Sequence, residues 1–183
     1  MGATICDAIL QAGTKYDTVV RPRVARVREI YPEATTTSAF RRLLREEGAK
    51  KVLAWRDEEK PNRVVGLTEF LIGEGIEIEA ELSSWLEADQ NRSLLLHVRG
   101  VEPKTIDYLR ILVGTQTAAV DRHLYAMLAE AGIPITGYQE ARDVLNAAAD
   151  LVDMNKSHFD HSIWQHMSRR KLSYATKRCF SRR

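Results

Sequence analysis

The chain has 183 residues, 44% of them hydrophobic and 28% charged, with 27 basic against 25 acidic side chains. This composition belongs to a folded globular chain and excludes a disordered one. No apolar run approaches the ~18 residues that a membrane helix needs, and Met1 to Asp7 has neither the basic start nor the apolar core of a secretion signal.

The charge is unevenly spread. Residues 161–183 carry seven basic side chains, from Arg169 to Arg183, and no acid. Taking those seven from 27 leaves 20 basic against 25 acidic side chains in residues 1–160. Six acids and no base fall between Glu74 and Asp89. A basic end on a body of the opposite sign suits an anionic partner, phosphate first among them, or is a solvated tail. The two cysteines, Cys6 and Cys179, supply neither a disulfide framework nor a four-thiolate cluster. Free thiols in the cytoplasm are the expectation.

Helical spacing dominates along the chain. Ile5, Ile9 and Leu10 form a stripe before Gly13. Val19, Val20, Val24, Val27 and Ile30 form another, with Pro22 placed for a first turn. Thr35-Thr36-Thr37 can cap a helix through Phe40, Leu43 and Leu44 that Gly48 stops. Lys50 to Trp55 reads as helix or turn, and Pro61-Asn62 as a break. Ile76 and Ile78 alternate as a strand would, whereas Leu82, Trp85 and Leu86 favour helix. Asn91 can cap Leu94-Leu95-Leu96. Further helices are expected from Pro103 to Val113, Arg122 to Ala131, Tyr138 to Val152 and about Ser157 to Ser168. With no strand–helix alternation, the expected class is all-α: a compact multi-helix array in one domain over 1–183, with a basic tail at 169–183.

The informative stretch is 96–124. Gly100 follows an apolar helix end and gives the freedom for a sharp reversal. Pro103 suits the first turn of the next helix. That helix aims its free N–H groups and positive dipole end at the turn, a seat for phosphate. Lys104 and Thr105 add a cation and a hydroxyl. Such an element, spanning about 91–113, can clamp a nucleic-acid backbone without reading bases.

Gly100-Val101-Glu102-Pro103-Lys104-Thr105, with Ala119-Val120-Asp121-Arg122-His123 placing its carboxylate 17 positions after the lysine, resembles the helix-hairpin-helix DNA glycosylases, the endonuclease III-like base-excision repair enzymes. Their pattern is Gly-Val-Gly-x-Lys-Thr-Ala and, one helix later, Ala-Val-Asp-x-His. Glu102 stands where the family has its second glycine. The resemblance implies two helical lobes with a cleft between, in the branch without an iron–sulfur cluster, and hence no cofactor and no metal. It implies duplex DNA with a damaged base or abasic site as partner, a monomer, and a nucleoid-associated place in the cytoplasm. It puts Lys104 on the nucleophilic lysine and Asp121 on the essential carboxylate, and gives Arg99, Gly100, Val101 and Thr105 to the DNA backbone.

The chemistry needs both groups. Breaking an N-glycosidic bond builds positive charge on the deoxyribose, which a fixed carboxylate stabilises most in the transition state. An amine can attack C1′ and form a Schiff base, provided that desolvation or a neighbouring cation leaves it partly neutral. The base itself must leave the stack to reach a pocket.

Blander readings stand beside these. Asp121 precedes a helix and is a good N-cap. Lys104 can simply contact phosphate or solvent. His123 reads as a packing histidine. His158, Asp160, His161 and His166 cluster near Trp164 without a convincing third ligand at metal spacing. Trp55, Trp85 and Trp164 read as core, and Arg21, Arg23, Arg26 and Arg28 as a basic face or a solvated one. The rival functions are a non-catalytic helix-hairpin-helix DNA-binding protein and a helical protein-interaction domain.

Overall fold

In the computed structural model, residues 1–170 are described. The basic tail expected at 169–183 therefore falls, apart from Arg169 and Arg170, outside the described residues, as does Cys179. The regular elements of the described residues are all helices, with no strand among them. No described helix is long and apolar enough to cross a membrane. Contacts divide the chain into two compact units, one of residues 1–115 and one that starts at Gln116.

The first unit is built around α1 (Gly2–Leu10), which is buried along nearly its whole circumference, as befits a central helix. A tighter-than-usual approach begins it. A Cβ on Gly2 would lie 2.6 Å from the Phe40 ring, so only glycine lets the helix start there. Tyr16–Val20 forms a wide π turn and leads into α2 (Arg21–Ile30), with Pro22 in its first turn as expected. Thr36 caps α3 (Thr37–Leu43) by accepting from the Ala39 amide at 3.1 Å. A second π turn, Leu44–Gly48, then connects to α4 (Ala49–Leu53).

Three expectations are overturned in the long helix and the short ones that follow. Pro61 and Asn62 do not break the chain; they lie inside α5 (Glu59–Gly73). Pro61 sits in the first turn, where a missing N–H leaves no hydrogen bond unmade. The alternation at Ile76 and Ile78 makes no strand; these residues lead into α6 (Glu79–Trp85), whose start Glu81 closes by accepting from the Glu77 amide at 2.7 Å. Asn91 is not a cap. α7 (Asp89–Leu95) starts earlier, and the Asn91 side chain donates to the Trp85 carbonyl at 2.9 Å. After the turn comes α8 (Pro103–Leu112). Helices α2, α5 and α8 all pack on α1, and Ile5, Ile9, Leu10, Phe40, Leu67, Leu71, Leu82, Leu95 and Leu109 make the core.

The second unit is smaller: α9 (Arg122–Glu130), α10 (Tyr138–Leu151) and α11 (Lys156–Arg169). Leu124, Leu128, Leu145, Ile163 and Met167 fill its core. Ahead of α9 runs a buried segment without regular structure, Thr117 to Val120. Buried amides need acceptors, and side chains supply them: Asn146 takes the Ala118 amide at 3.0 Å and Asp160 the Ala119 amide at 2.9 Å.

Candidate functional site

The turn between α7 and α8 forms as its residues dictate. Gly100 adopts φ +82°, the left-handed conformation glycine favours. The Val101 amide closes the turn on the Val98 carbonyl at 3.0 Å. A Cβ on Gly100 would also lie 2.7 Å from Nε of Arg63, whose side chain covers the turn from α5. Glu102 is the N-cap of α8 in extended backbone (φ −122°), which any residue adopts, so the absent second glycine costs the turn nothing. The Glu102 side chain is exposed and makes no capping bond; its carbonyl accepts from Thr105 at 2.8 Å and Ile106 at 3.1 Å.

The four residues given to the DNA backbone do not present themselves alike. Val101 and Thr105 are only 4% and 3% exposed, so their side chains face the core and backbone is what they can offer a phosphate. Arg99 is exposed, and its Nη2 donates to Glu59 Oε2 at 3.0 Å. The other oxygen of Glu59 accepts from Arg63 Nε at 2.9 Å. One carboxylate on α5 thus holds two guanidinium groups beside the turn.

Lys104 is the second residue of α8 and half-buried. Its amine donates to the Gln11 side-chain oxygen and lies 5.6 Å from the centre of the Tyr108 ring, one turn along the same helix. Behind these groups is a buried carboxylate. Asp7, 4% exposed, accepts from the Tyr16 hydroxyl at Oδ2 and from the Tyr108 hydroxyl at Oδ1, each at 3.0 Å. Burial pushes the Asp7 carboxyl above its ordinary range, against the pull of the two hydroxyls and of Arg28. Burial, and then the Asp7 charge, push Tyr108 upward as well. A second lysine reaches the same end of α1 from α5: Lys60 Nζ donates to the carbonyls of Ile9 at 2.8 Å and Ala12 at 2.7 Å.

Asp121 belongs to the second unit. It is the N-cap of α9, with Oδ1 accepting from the amides of His123 at 2.7 Å and Leu124 at 3.2 Å. Those bonds fix the carboxylate at the positive end of the helix dipole. His123 is 8% exposed and stands edge-on to Trp164 at 6.3 Å, which is the packing role expected of it. Burial holds its pKa below the ordinary histidine value. His161 stacks on Trp164 at 6.0 Å, and no group of three or more His, Cys, Asp or Glu among the described residues could hold a metal ion. Trp55 lies under the Arg23 guanidinium at 4.9 Å, and Trp85 is edge-on to Phe70 at 5.9 Å.

Reading along the chain misses Asp7, Gln11, Tyr16 and Lys60. Asp7 carries a signal: it is the one acid within the apolar run Ile5 to Leu10. The other three carry none.

These two units define an all-helical protein with a lysine-bearing hairpin in one and a capping aspartate in the other. A family model described as a domain of unknown function (DUF8548) matches residues 1–168, and the chain belongs to that family. No curated protein and no solved structure matches it.

Proposed function

We propose that this protein is a DNA base-excision glycosylase with abasic-site lyase activity, acting on a damaged or mismatched base in duplex DNA. The reading rests on the resemblance of residues 96–125 to the helix-hairpin-helix glycosylases. What supports it most is the geometry around Lys104: a left-handed glycine turn, a helix start behind it, and an amine oriented by Gln11 against Tyr108.

In this mechanism the base leaves with the electron pair of its glycosidic bond and takes up a proton. Lys104 Nζ attacks C1′ as that bond breaks, and opening of the sugar ring gives a Schiff base. Loss of a C2′ proton then expels the 3′ phosphate. Asp121 stabilises the cationic sugar and shuttles protons. The backbone of Gly100 and Val101, the start of α8 and Arg99 seat the phosphates, and basic residues make the affinity salt-sensitive. The reading carries with it a two-lobed glycosylase fold, a monomer, a nucleoid-associated place in the cytoplasm, and no need of a cofactor.

Borohydride trapping on an abasic-site duplex tests the reading, with single-lesion duplexes alongside. The expected result is a covalent adduct that Lys104→Ala abolishes and base release that Asp121→Asn slows by about 100-fold or more. A folded wild-type protein that gives no adduct removes the lyase claim. The cap geometry favours one second reading, a DNA-binding protein without catalysis, in which Asp121 only starts α9. Duplex binding with no base release from any lesion, and Asp121→Asn without effect beyond helix stability, select that reading.

A further inference from the structure

We propose that the groove between α5 and the segment running from α3 to α4 is a binding site for a small amphipathic anion: an apolar body that ends in one carboxylate or phosphate ester. The inference goes beyond the proposed function. It uses no residue around Lys104 and none in the hairpin turn.

The groove encloses about 510 Å³, within the range of small-molecule sites. One wall is a single stripe of α5: Glu58, Pro61, Asn62, Val65, Thr68 and Glu69. Their spacing of three and four is that of one helix face. Glu59 and Arg63, which serve the hairpin turn, fall outside that stripe. The other wall is the end of α3, the second π turn and the start of α4. The middle is apolar: Leu44 and Pro61 are buried, and Ala49 and Val65 half-buried. Thr68 is buried as well, and its hydroxyl donates to the Val64 carbonyl of its own helix at 2.7 Å.

Charge sits at the two ends of this floor. At one end Glu69 accepts from Arg45 Nη2 at 2.9 Å and lies 3.5 Å from Arg41 Nη1. At the other, Glu58 pairs with Lys50 at 2.9 Å. Residues 58 and 69 are about 16 Å apart along the helix, so the groove is long and framed by an ion pair at each end. Four basic side chains line it against three glutamates, a surplus of one positive charge. Arg41 is where that surplus lies. Lys50 has Glu58, Lys51 has Glu47, and Arg45 has the close contact with Glu69. Among the described residues, the half-buried Arg41 guanidinium makes no hydrogen bond, only the loose contact at 3.5 Å. Its planar fork suits the paired oxygens of a carboxylate or phosphate. A ligand therefore puts its anionic head on Arg41 and Arg45 and lays its body over Leu44, Ala49 and Val65 towards Glu58. A neutral ligand leaves the guanidinium unmet, and a cation faces the surplus charge.

The full chain is titrated calorimetrically with decanoate, decyl phosphate and decyltrimethylammonium, which share one apolar body and differ in the head. Decanoate and decyl phosphate are each expected to bind once per chain, and decyltrimethylammonium at least about tenfold more weakly. The tighter of the two anions identifies the head. Arg41→Gln is expected to weaken both anions about tenfold, and Glu69→Gln, which frees both guanidinium groups, to tighten them about threefold or more. Val65→Trp fills the groove without touching its charges and is expected to abolish binding. No saturable binding of either anion to the wild type overturns the inference, as does a cation that binds equally well. Anion affinity that ignores Arg41→Gln, or that persists in folded Val65→Trp, overturns it too. Glu69→Gln changes an exposed side chain and asks for a gain of affinity, so its failure to tighten either anion overturns the inference even where Val65→Trp does not fold.

Discussion

Lys104 and Asp121 come by their surroundings in opposite ways. Among the described residues, the hydrogen bonds that the Asp121 carboxylate accepts are local: two amides, two and three residues on, bonded to one oxygen. Lys104 is surrounded by residues brought from afar, with Gln11 93 positions away in sequence and Tyr108, beside it, bonded to Asp7 101 positions away. A cap is made by a few neighbouring dihedrals and survives most changes elsewhere. A buried polar network is made by the whole packing of α1 against α8 and is exposed to faults in any of its members.

The sharpest way to break this contrast is Asp7→Ala. Two tyrosine hydroxyls would lose a charged acceptor at once, so the first unit is expected to lose about 3 kcal/mol, seen as a lower urea midpoint. A change under ~0.5 kcal/mol, within the range of ordinary surface substitutions, would mean that the network is solvated and the contrast false. Asp121→Ala should cost less, about 1 kcal/mol, with the loss of amide protection in hydrogen exchange confined to the first turn of α9. Loss spread through α10 and α11 would show that the carboxylate does more than start a helix.

The smallest effect concerns pH. Lys60 is lowered from 10.5 to about 8 in the folded chain. Between those values the unfolded chain binds more protons at this group than the folded chain does, so its contribution makes stability rise with pH across the window. Below about 8 both states are protonated and the penalty of burying the charge is fully present. Urea midpoints at pH 7 and pH 9.5 should therefore differ more favourably in the wild type than in Lys60→Met. Equal differences would place the Lys60 amine in water.

How much of this was legible follows from the same contrast. Most helices could be read because apolar spacing and capping residues are local: Thr36, Asp121 and the stripe of α1 announce themselves. Pro61 was misleading because proline breaks a helix interior yet fits a first turn, and the sequence does not say which turn it occupies. Asn91 was misleading because its amide found the Trp85 carbonyl, a partner six residues back that no capping rule anticipates. Around the candidate site, Gly100, Pro103 and Lys104 could be read from their order along the chain. Gln11 and Lys60 could not, since a glutamine and a lysine in isolation look like any solvated residue until α1 and α5 bring them to α8.

Glu59 gives the hairpin surface a character that its arginines alone would not suggest. Because one carboxylate already occupies both Arg63 and Arg99, those three groups sum to a single positive charge. An incoming anion exchanges places with a resident one rather than meeting bare cations. Such a surface exerts little pull at a distance and rewards only a visitor whose oxygens fit the two guanidinium forks better than the glutamate does.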